Sequence, residues 1–496
     1  MEVLKGLEPE RVFFYFEDIS KVARGSGNTK GISDHLKDFA NRHGLECIQD
    51  EKNNLIIFKE GSLGLENASP LILQGHMDMV CAKEKGVSHD FEKEGIELKV
   101  EDGMVRAKGT TLGADDGIFL AYAMALLESE SIKHPPLEVL ITVDEEIGML
   151  GAAYMDLSCL KGRRMINIDS EQEGIFTAGC AGGVRVTDTI PLKRSSVKGR
   201  LIEIRVEGLR GGHSGESIHE YRANANIVMS RLLSKVADRI NLVDIQGGSA
   251  DNVIADASMA LIMVKEDSSE RFSLGDFAGG ELEKKLNRIL GELKDEAKRI
   301  KKEYENTDPA MSVSFEPKEN CLLEVMDEES TKRAIAAIYL APNGVLKMDP
   351  YIRGLVKSSL NLGIVRCEKE SLSICHLLRS SSDSEKEEMV AKIACLSSCL
   401  KGSVSCQGDY SAWEYNKESP LREKMVEVYR DMYGKDPVVN VIHAGVECGV
   451  LAKKIPDFDC VSIGPDIKDI HTPKESLDIG SVKRNYEFLL RLLESL

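Results

Sequence analysis

The chain has 496 residues, 42% hydrophobic and 29% charged, which is enough for two or three packed domains. Its formal net charge of −18 repels phosphate backbones, and no Lys/Arg cluster reverses that, so nucleic acid is excluded as a partner class. The longest apolar runs, such as residues 137–143, are strand-sized rather than membrane-spanning, and residues 1–10 lack the basic-then-apolar pattern of a signal peptide, so a cytoplasmic protein is expected.

Residues 9–44 read as helices, with Ser33 as a candidate cap ahead of Leu36, Phe39 and Ala40 at helical spacing. Residues 54–58 and 70–74 read as strands, and the second runs into Gly75, His76, Met77 and Asp78. A helix over 120–127 follows a Gly-rich turn, and 137–143 and 165–168 read as buried strands. Strands alternating with helices imply an α/β sheet with substantial parallel pairing.

After about residue 185 the character changes. Residues 184–190 and 201–206 alternate as half-exposed strands, 223–236 is an amphipathic helix, and 253–264 is strand-like. Residues 281–305 carry Leu282, Leu286, Ile289, Leu293 and Ile300 on one face, and a packed surface helix is favoured there over a coiled coil. Strands at 354–365 and 371–378 and a helix over 385–396 suggest a sheet with one face covered. From about residue 405 the first style returns, with 461–464 leading to His471. The expected fold is therefore α/β. A domain of residues 1–185 and 405–496, with a mostly parallel central sheet flanked by helices, is interrupted by a smaller α/β domain of residues 186–404 with a helix-covered, largely antiparallel sheet. The twelve cysteines are scattered and form no CxxC pair, so reduced, mostly buried thiols are expected, with Cys395 and Cys399 in the core.

Five short segments carry chemistry. His76 and Asp78, two apart at a strand end, point the same way, and a carboxylate beside an imidazole raises its basicity as a ligand. Asp115 and Asp116 lie in a Gly-rich turn before a helix. Asp144, Glu145 and Glu146 end the strongest strand, where like charges are costly unless a cation compensates. Asp169 ends another apolar strand, and His471 lies near the C-terminus. Each segment alone is more economically a turn, a cap or a solvated surface. Together they give two histidines and several carboxylates at strand ends, a plausible ligand set for two divalent metals, with a spare Glu as general base.

In this order the segments resemble the dinuclear zinc peptidase family that contains carboxypeptidase G, aminoacylase, tripeptidase T and the aminoacyl-histidine dipeptidases. The resembling stretches are Gln74 to Val80, Gly113 to Gly117, Asp144 to Gly148, Asp169 and His471, with Arg210, Gly211, Gly212, His213, Ser214 and Gly215 as the small-domain motif. Lys108 to Asp115, Asn167 to Ser170, Gly179 to Gly183, Ser359 to Asn361, Gly408 to Trp413 and Ile442 to Glu447 are similar to the Xaa-His dipeptidase branch of that family. Asp116 departs from that branch, which commonly has Asn there, and Ser411 and Ala412 stand where Pro and Gly are expected.

The resemblance implies one Zn2+ held by His76, Asp115 and Asp169 and a second by Asp115, Glu146 and His471, with Co2+ or Mn2+ also suited to these ligands. It implies Asp78 as the residue orienting His76 and Glu145 as the base acting on metal-bound water. It places His213 against the substrate, with Asn252, Asn361, Arg379, His443 and Glu447 as further substrate-binding candidates. Residues 186–404 would then form a lid and dimerisation domain, and the chain a homodimer. The activity implied is hydrolysis of unblocked dipeptides, with Xaa-His substrates as the preferred class. A deacylase or aminotripeptidase on the same scaffold, and a non-catalytic binding protein, are the alternatives.

Overall fold

The computed structural model describes residues 2–266 and 279–496. The chain divides into two compact units, one of Met1–Cys180, Trp413–Ile442 and Val446–Leu496, the other of Ala181–Ala412 and His443–Gly445. The fold class is the expected one: a mixed α/β chain with one mostly parallel and one antiparallel sheet.

In the first unit, eight strands lie in the order Glu46–Gln49, Leu55–Lys59, Leu137–Thr142, Leu71–His76, Arg164–Asn167, Asp459–Ser462, Ile175–Cys180 and Val438–Ile442. The four strands from Leu137–Thr142 to Asp459–Ser462 run parallel. Leu137–Thr142 and Leu71–His76 are buried along their whole length, as their mostly apolar sequences suit central parallel strands. The helix Ala114–Glu128 is apolar nearly all round and runs through the core. It packs with Phe13 and Phe16 of helix Glu10–Ile19, Leu36 and Phe39 of helix Lys30–Arg42, and Phe488 and Leu489 of helix Ile479–Ser495. Each such side chain contributes about 1.5–3 kcal/mol on full burial. A separate small sheet orders Ile467–Lys468, Ser476–Asp478, Met104–Ala107 and Leu98–Glu101. Its register sets Leu477 opposite Val105.

The topology collects the candidate chemistry. The parallel neighbours Leu137–Thr142, Leu71–His76 and Arg164–Asn167 set His76 opposite Thr142 and Gln74 opposite Asn167. Their carboxyl ends therefore deliver His76 and Asp78, the acids Asp144 to Glu146, and Asp169 to one edge of the sheet. This is where sites form in open α/β sheets.

The second unit holds an antiparallel sheet in the order Ser312–Met326, Arg194–Glu207, Ser258–Lys265, Asn241–Gly247, Val356–Cys367, Ser371–Ser380, Gly182–Pro191 and Ser403–Tyr410, with Gly344–Met348 paired to Val356–Cys367. Its core joins Ile202, Ile204, Ile262 and Ile374 of the sheet to Leu232 and Leu233 of helix Ala225–Ser234 and Ile335 and Ile338 of helix Glu328–Leu340. The stripe of the helix Gly279–Glu303 is spent here: Leu286, Ile289, Leu293 and Ile300 are all buried. It is a packed surface helix.

Three local readings are corrected. Ser33 does not cap a helix. Helix Lys30–Arg42 starts before it, and the buried Ser33 hydroxyl donates to the carbonyl of Asn53 instead. The strand expected over 253–264 begins at Ser258, because the preceding residues form a turn in which Val253 only bridges His213. The cysteines are less buried than expected. Only Cys180, Cys448 and Cys460 are buried, and Cys395 and Cys399 are exposed on helix Asp383–Cys399, whose apolar residues Met389 and Ile393 face the sheet in their place.

Candidate active site

Asp115 sits between two histidines contributed by distant parts of the chain. Its Oδ1 is 3.1 Å from Nε2 of His76, and its Oδ2 is 3.1 Å from Nε2 of His471. The same His76 nitrogen is 3.4 Å from Oδ1 of Asp169, and the same His471 nitrogen is 3.0 Å from Oε2 of Glu146. Potential ligand atoms of Asp115, Glu146 and His471 all fall within 4.8 Å of one another, as do those of His76, Asp116 and Asp169, and of His76, Glu145 and Glu146. All of these residues belong to the first unit.

Asp78 organises this cluster. Its Oδ1 lies 3.5 Å from Nδ1 of His76. Its carboxylate also accepts the backbone N–H groups of Glu145 at 3.1 Å and Glu146 at 3.4 Å, and the Ser26 hydroxyl at 2.8 Å. His76 Nδ1 hydrogen-bonds the Asp78 backbone carbonyl at 3.1 Å with the Asp78 carboxylate beside it, and that carboxylate fixes the turn that carries the acidic pair. That turn separates the three adjacent acids. Asp144, in the left-handed region at φ 55°, sends its carboxylate to the N–H of Gly27 at 2.7 Å, leaving Glu145 and Glu146 in the cluster. Asp116 is buried, and its Oδ2 accepts the backbone N–H of His76 at 3.3 Å.

The electrostatics are those of buried negative charge in excess. Six carboxylates (Asp78, Asp115, Asp116, Glu145, Glu146 and Asp169) meet two imidazoles and the buried Arg24 guanidinium. Burial pushes the carboxyl of Asp169 up to about 6, and it raises those of Glu145 and Asp116 well above their ordinary value, helped by neighbouring carboxylates. Burial also works against ionised Asp115, yet hydrogen bonds from His471 and His76 outweigh it and hold that carboxyl well below the usual range. His471 is drawn up to about 11 by Asp115 and Glu146. Burial opposes charge on His76, but Asp169 and Asp115 draw it well above the ordinary value. Oε1 of Glu146 is buried with no hydrogen-bond partner. Oxygen and imidazole donors with surplus negative charge and an unsatisfied carboxylate oxygen fit divalent cations.

The remaining predicted residues fall in two places. His213, Asn252, Asn361, Arg379 and His443 lie in the second unit. There Nε2 of His443 is 2.7 Å from the Ser359 hydroxyl, and Arg379 Nη1 donates to the Tyr410 hydroxyl at 3.0 Å. Asn361 donates to the carbonyls of Asp251 and Val253 at 2.7 and 2.8 Å, and the carbonyl of the exposed Asn252 accepts the N–H of Ser214 at 2.8 Å. Arg379 lies close enough to His213 and His443 to disfavour their protonation. Burial is the larger cause at both histidines, and the two together bring His443 to about 3. Nδ1 of both histidines, Nε of Arg379 and Oδ1 of Asn361 are buried without partners. Glu447 is fully buried in the first unit. Its Oε2 accepts from Gln74 at 2.6 Å and Thr142 at 2.5 Å, its Oε1 has no partner, and burial raises its carboxyl to about 7.

Sequence reasoning missed Arg24 and gave no role to Glu475. Arg24 donates to the carbonyls of Met77, Asp78 and Gly113, and Glu475 accepts backbone N–H groups of the turn that carries Asp115. Nothing marks Arg24 in sequence. Glu475 was visible only as an acid four residues past His471.

Carboxylates and imidazoles gathered at the carboxyl ends of a parallel sheet mark an α/β protein with a candidate metal site. Residues 72–495 match the profile of Peptidase family M20/M25/M40, and the chain belongs to that family and is a peptide hydrolase. It is 33% identical over 500 aligned residues to the cytosol non-specific dipeptidase of Escherichia coli (strain K12), covering 100% of this chain and 99% of that one. Among solved structures it is similar to the aminoacylhistidine dipeptidase from Vibrio alginolyticus, with a TM-score of 0.90, 31% identity and coverage of 99% and 98% of the two chains. The aminopeptidase PepT from Bacillus cereus shares the fold at a TM-score of 0.55 and 16% identity over 98% of each chain. Among the described residues no helix is long and apolar enough to cross a membrane.

Proposed function

We propose that the chain is a metallo-dipeptidase acting on unblocked dipeptides, with Xaa-His substrates as its preferred class. The observation that carries the reading is Asp115, each of whose oxygens meets a different histidine, as a carboxylate bridging two cations would. Its likeness to the two dipeptidases supports the substrate class. His76, Asp115 and Asp169 would hold one ion and Asp115, Glu146 and His471 the other, with Zn2+ the expected metal and Co2+ or Mn2+ compatible. Bound there, such ions polarise a carbonyl and make water a better nucleophile at neutral pH.

The chain's own residues do the rest. Glu145 sits beside the ligand Glu146, with its backbone N–H tied to Asp78, and its carboxylate takes the proton from the attacking water and returns it to the leaving amine nitrogen. Asp78 keeps the His76 ring in place. In the second unit His213, Arg379 and His443, with Asn252 and Asn361 beside them, form a group with unpaired donors suited to a substrate carboxylate and a developing oxyanion. Glu447, at the start of helix Glu447–Ala452 and held by Gln74 and Thr142 with its Oε1 unpaired, is the remaining substrate-binding residue of this reading. We read the second unit, residues 186–404 in the sequence division, as the lid and dimerisation domain of a cytoplasmic homodimer.

The test is a panel of free dipeptides, including Xaa-His and β-Ala-His, beside their N-acetylated forms and matched tripeptides. The reading predicts cleavage of the free dipeptides, fastest for Xaa-His, and rates on the blocked forms lower by at least an order of magnitude. Preferential cleavage of N-acyl substrates or tripeptides would instead make the chain a deacylase or tripeptidase.

A further inference from the structure

Glu475 is among the most heavily engaged side chains near the cluster, yet nothing in the proposed chemistry uses it. It is 2% exposed. Its Oε2 accepts the backbone N–H groups of Leu112 at 2.8 Å and Gly113 at 3.0 Å. Its Oε1 accepts those of Ala114 at 2.8 Å and Asp115 at 3.4 Å. Four consecutive amides thus converge on one carboxylate, the pattern by which a turn or helix start binds an anion. The anion here belongs to the protein.

The opposite side of the same turn is held by Arg24. Its guanidinium donates to the carbonyl of Gly113, and also to those of Met77 at 3.0 Å and Asp78 at 3.4 Å, the second being the carbonyl that also meets His76 Nδ1 at 3.1 Å. The space between is closed. Gly113 is left-handed at φ 69°, and a Cβ there would meet Arg24 Nη2 at 2.6 Å and Met79 Sδ at 2.7 Å. Burial disfavours charge on Arg24, and the Glu475 carboxylate is the largest influence supporting it.

Glu475 also belongs to the loop that presents His471. The hairpin strands Ile467–Lys468 and Ser476–Asp478 flank that loop, and the second pairs with Met104–Ala107, the strand leading into the Asp115 turn. Within the loop the N–H of Glu475 returns to the carbonyl of Thr472 at 3.1 Å, and the Thr472 hydroxyl donates to the carbonyl of Asp469 at 2.7 Å. His471 itself is left-handed at φ 60°, a conformation a non-glycine residue holds only when its surroundings impose it. One side chain therefore joins the Asp115 turn to the His471 loop, the two segments whose side chains must meet for one proposed ion.

We propose that Glu475 is a positioning residue that sets the distance between Asp115 and His471, with Arg24 as the opposing jaw of the same clamp. Its removal would weaken the ion held by Asp115, Glu146 and His471 more than the one held by His76, Asp115 and Asp169. The inference rests on the two-ion reading of the cluster and is independent of which peptide is cleaved. Gln at this position keeps the shape but presents an amide NH2 to two of the four backbone N–H groups. Loss of such an outer partner typically costs about 10–100-fold in metal affinity.

The experiment is calorimetric titration of the metal-free, full-length protein with Zn2+, comparing wild type with Glu475→Gln. The clamp predicts two binding steps in both, with one step weakened about 10–100-fold in the variant and the other moved much less. It also predicts that kcat recovers when Zn2+ is raised to saturation. A general packing role would instead lower both steps together, or lower the melting temperature while leaving both unchanged, and either result overturns the proposal. If Glu475→Gln does not fold, Glu475→Asp carries the test. Its carboxylate, one methylene short, cannot meet all four backbone N–H groups, so the same single step should weaken, and wild-type affinities or an equal loss at both steps would refute the clamp. Wild type that binds two ions but cleaves no dipeptide would sink the proposed substrate and leave the clamp standing. Wild type that takes up no Zn2+ would sink both.

Discussion

Glu145→Gln should lower kcat for dipeptide hydrolysis by about 100- to 10,000-fold, the range for removal of a general base, while both metal ions stay bound. The substitution keeps the side-chain volume and takes away only the ability to accept a proton. The backbone N–H of Glu145 would still donate to Asp78 Oδ1, now at 3.1 Å, so the turn that presents Glu146 should survive. Glu145 is also near enough to His76 and Glu146 to share a cation with them, which makes the metal count essential to the experiment. Lost activity with two ions retained assigns the proton-carrying role. Activity within tenfold of wild type excludes it, and lost activity accompanied by a lost ion would make Glu145 a ligand.

Asp115→Ala should weaken both ions, well beyond the roughly 10–100-fold typical of an outer partner. Its two oxygens face the two histidines separately, so one substitution removes a donor from each proposed ligand set. Asp169→Ala provides the contrast, since Asp169 meets His76 alone and its loss should release one ion. Metal content after dialysis, measured by mass spectrometry, separates the outcomes. Retention of two ions by Asp115→Ala would remove Asp115 from the bridging position.

Much of this was legible in the sequence because its signals are local. A short, mostly apolar run of four to seven residues ending in an acid or histidine reads as a buried strand with a polar end. Three such runs proved to be neighbours in the parallel sheet, so His76, Glu145, Glu146 and Asp169 meet where their strands stop. The change from buried to alternating patterning after residue 185 matches the change from the mostly parallel to the antiparallel sheet.

What was not legible depends on tertiary contact. Asp144 and Glu145 are adjacent acids, and only the turn geometry sends the first to Gly27 and leaves the second in the cluster. Ser33 has a cap's chemistry but lies inside a helix, because its hydroxyl serves Asn53 twenty residues away. Cys395 and Cys399 have helical spacing, but they fall on the face that Met389 and Ile393 leave exposed. Arg24 and Glu475 act through backbone atoms far away in sequence, and residue type alone carries no trace of such contacts.

The most direct test of the central claim is hydrolysis of a free Xaa-His dipeptide by the intact protein before chelation, after stripping with EDTA, and during refilling with Zn2+ while bound metal is counted. The account predicts that stripping abolishes cleavage and that activity returns as the count approaches two ions per chain. Cleavage that persists in protein free of metal, or that is fully restored by a single ion, would contradict it.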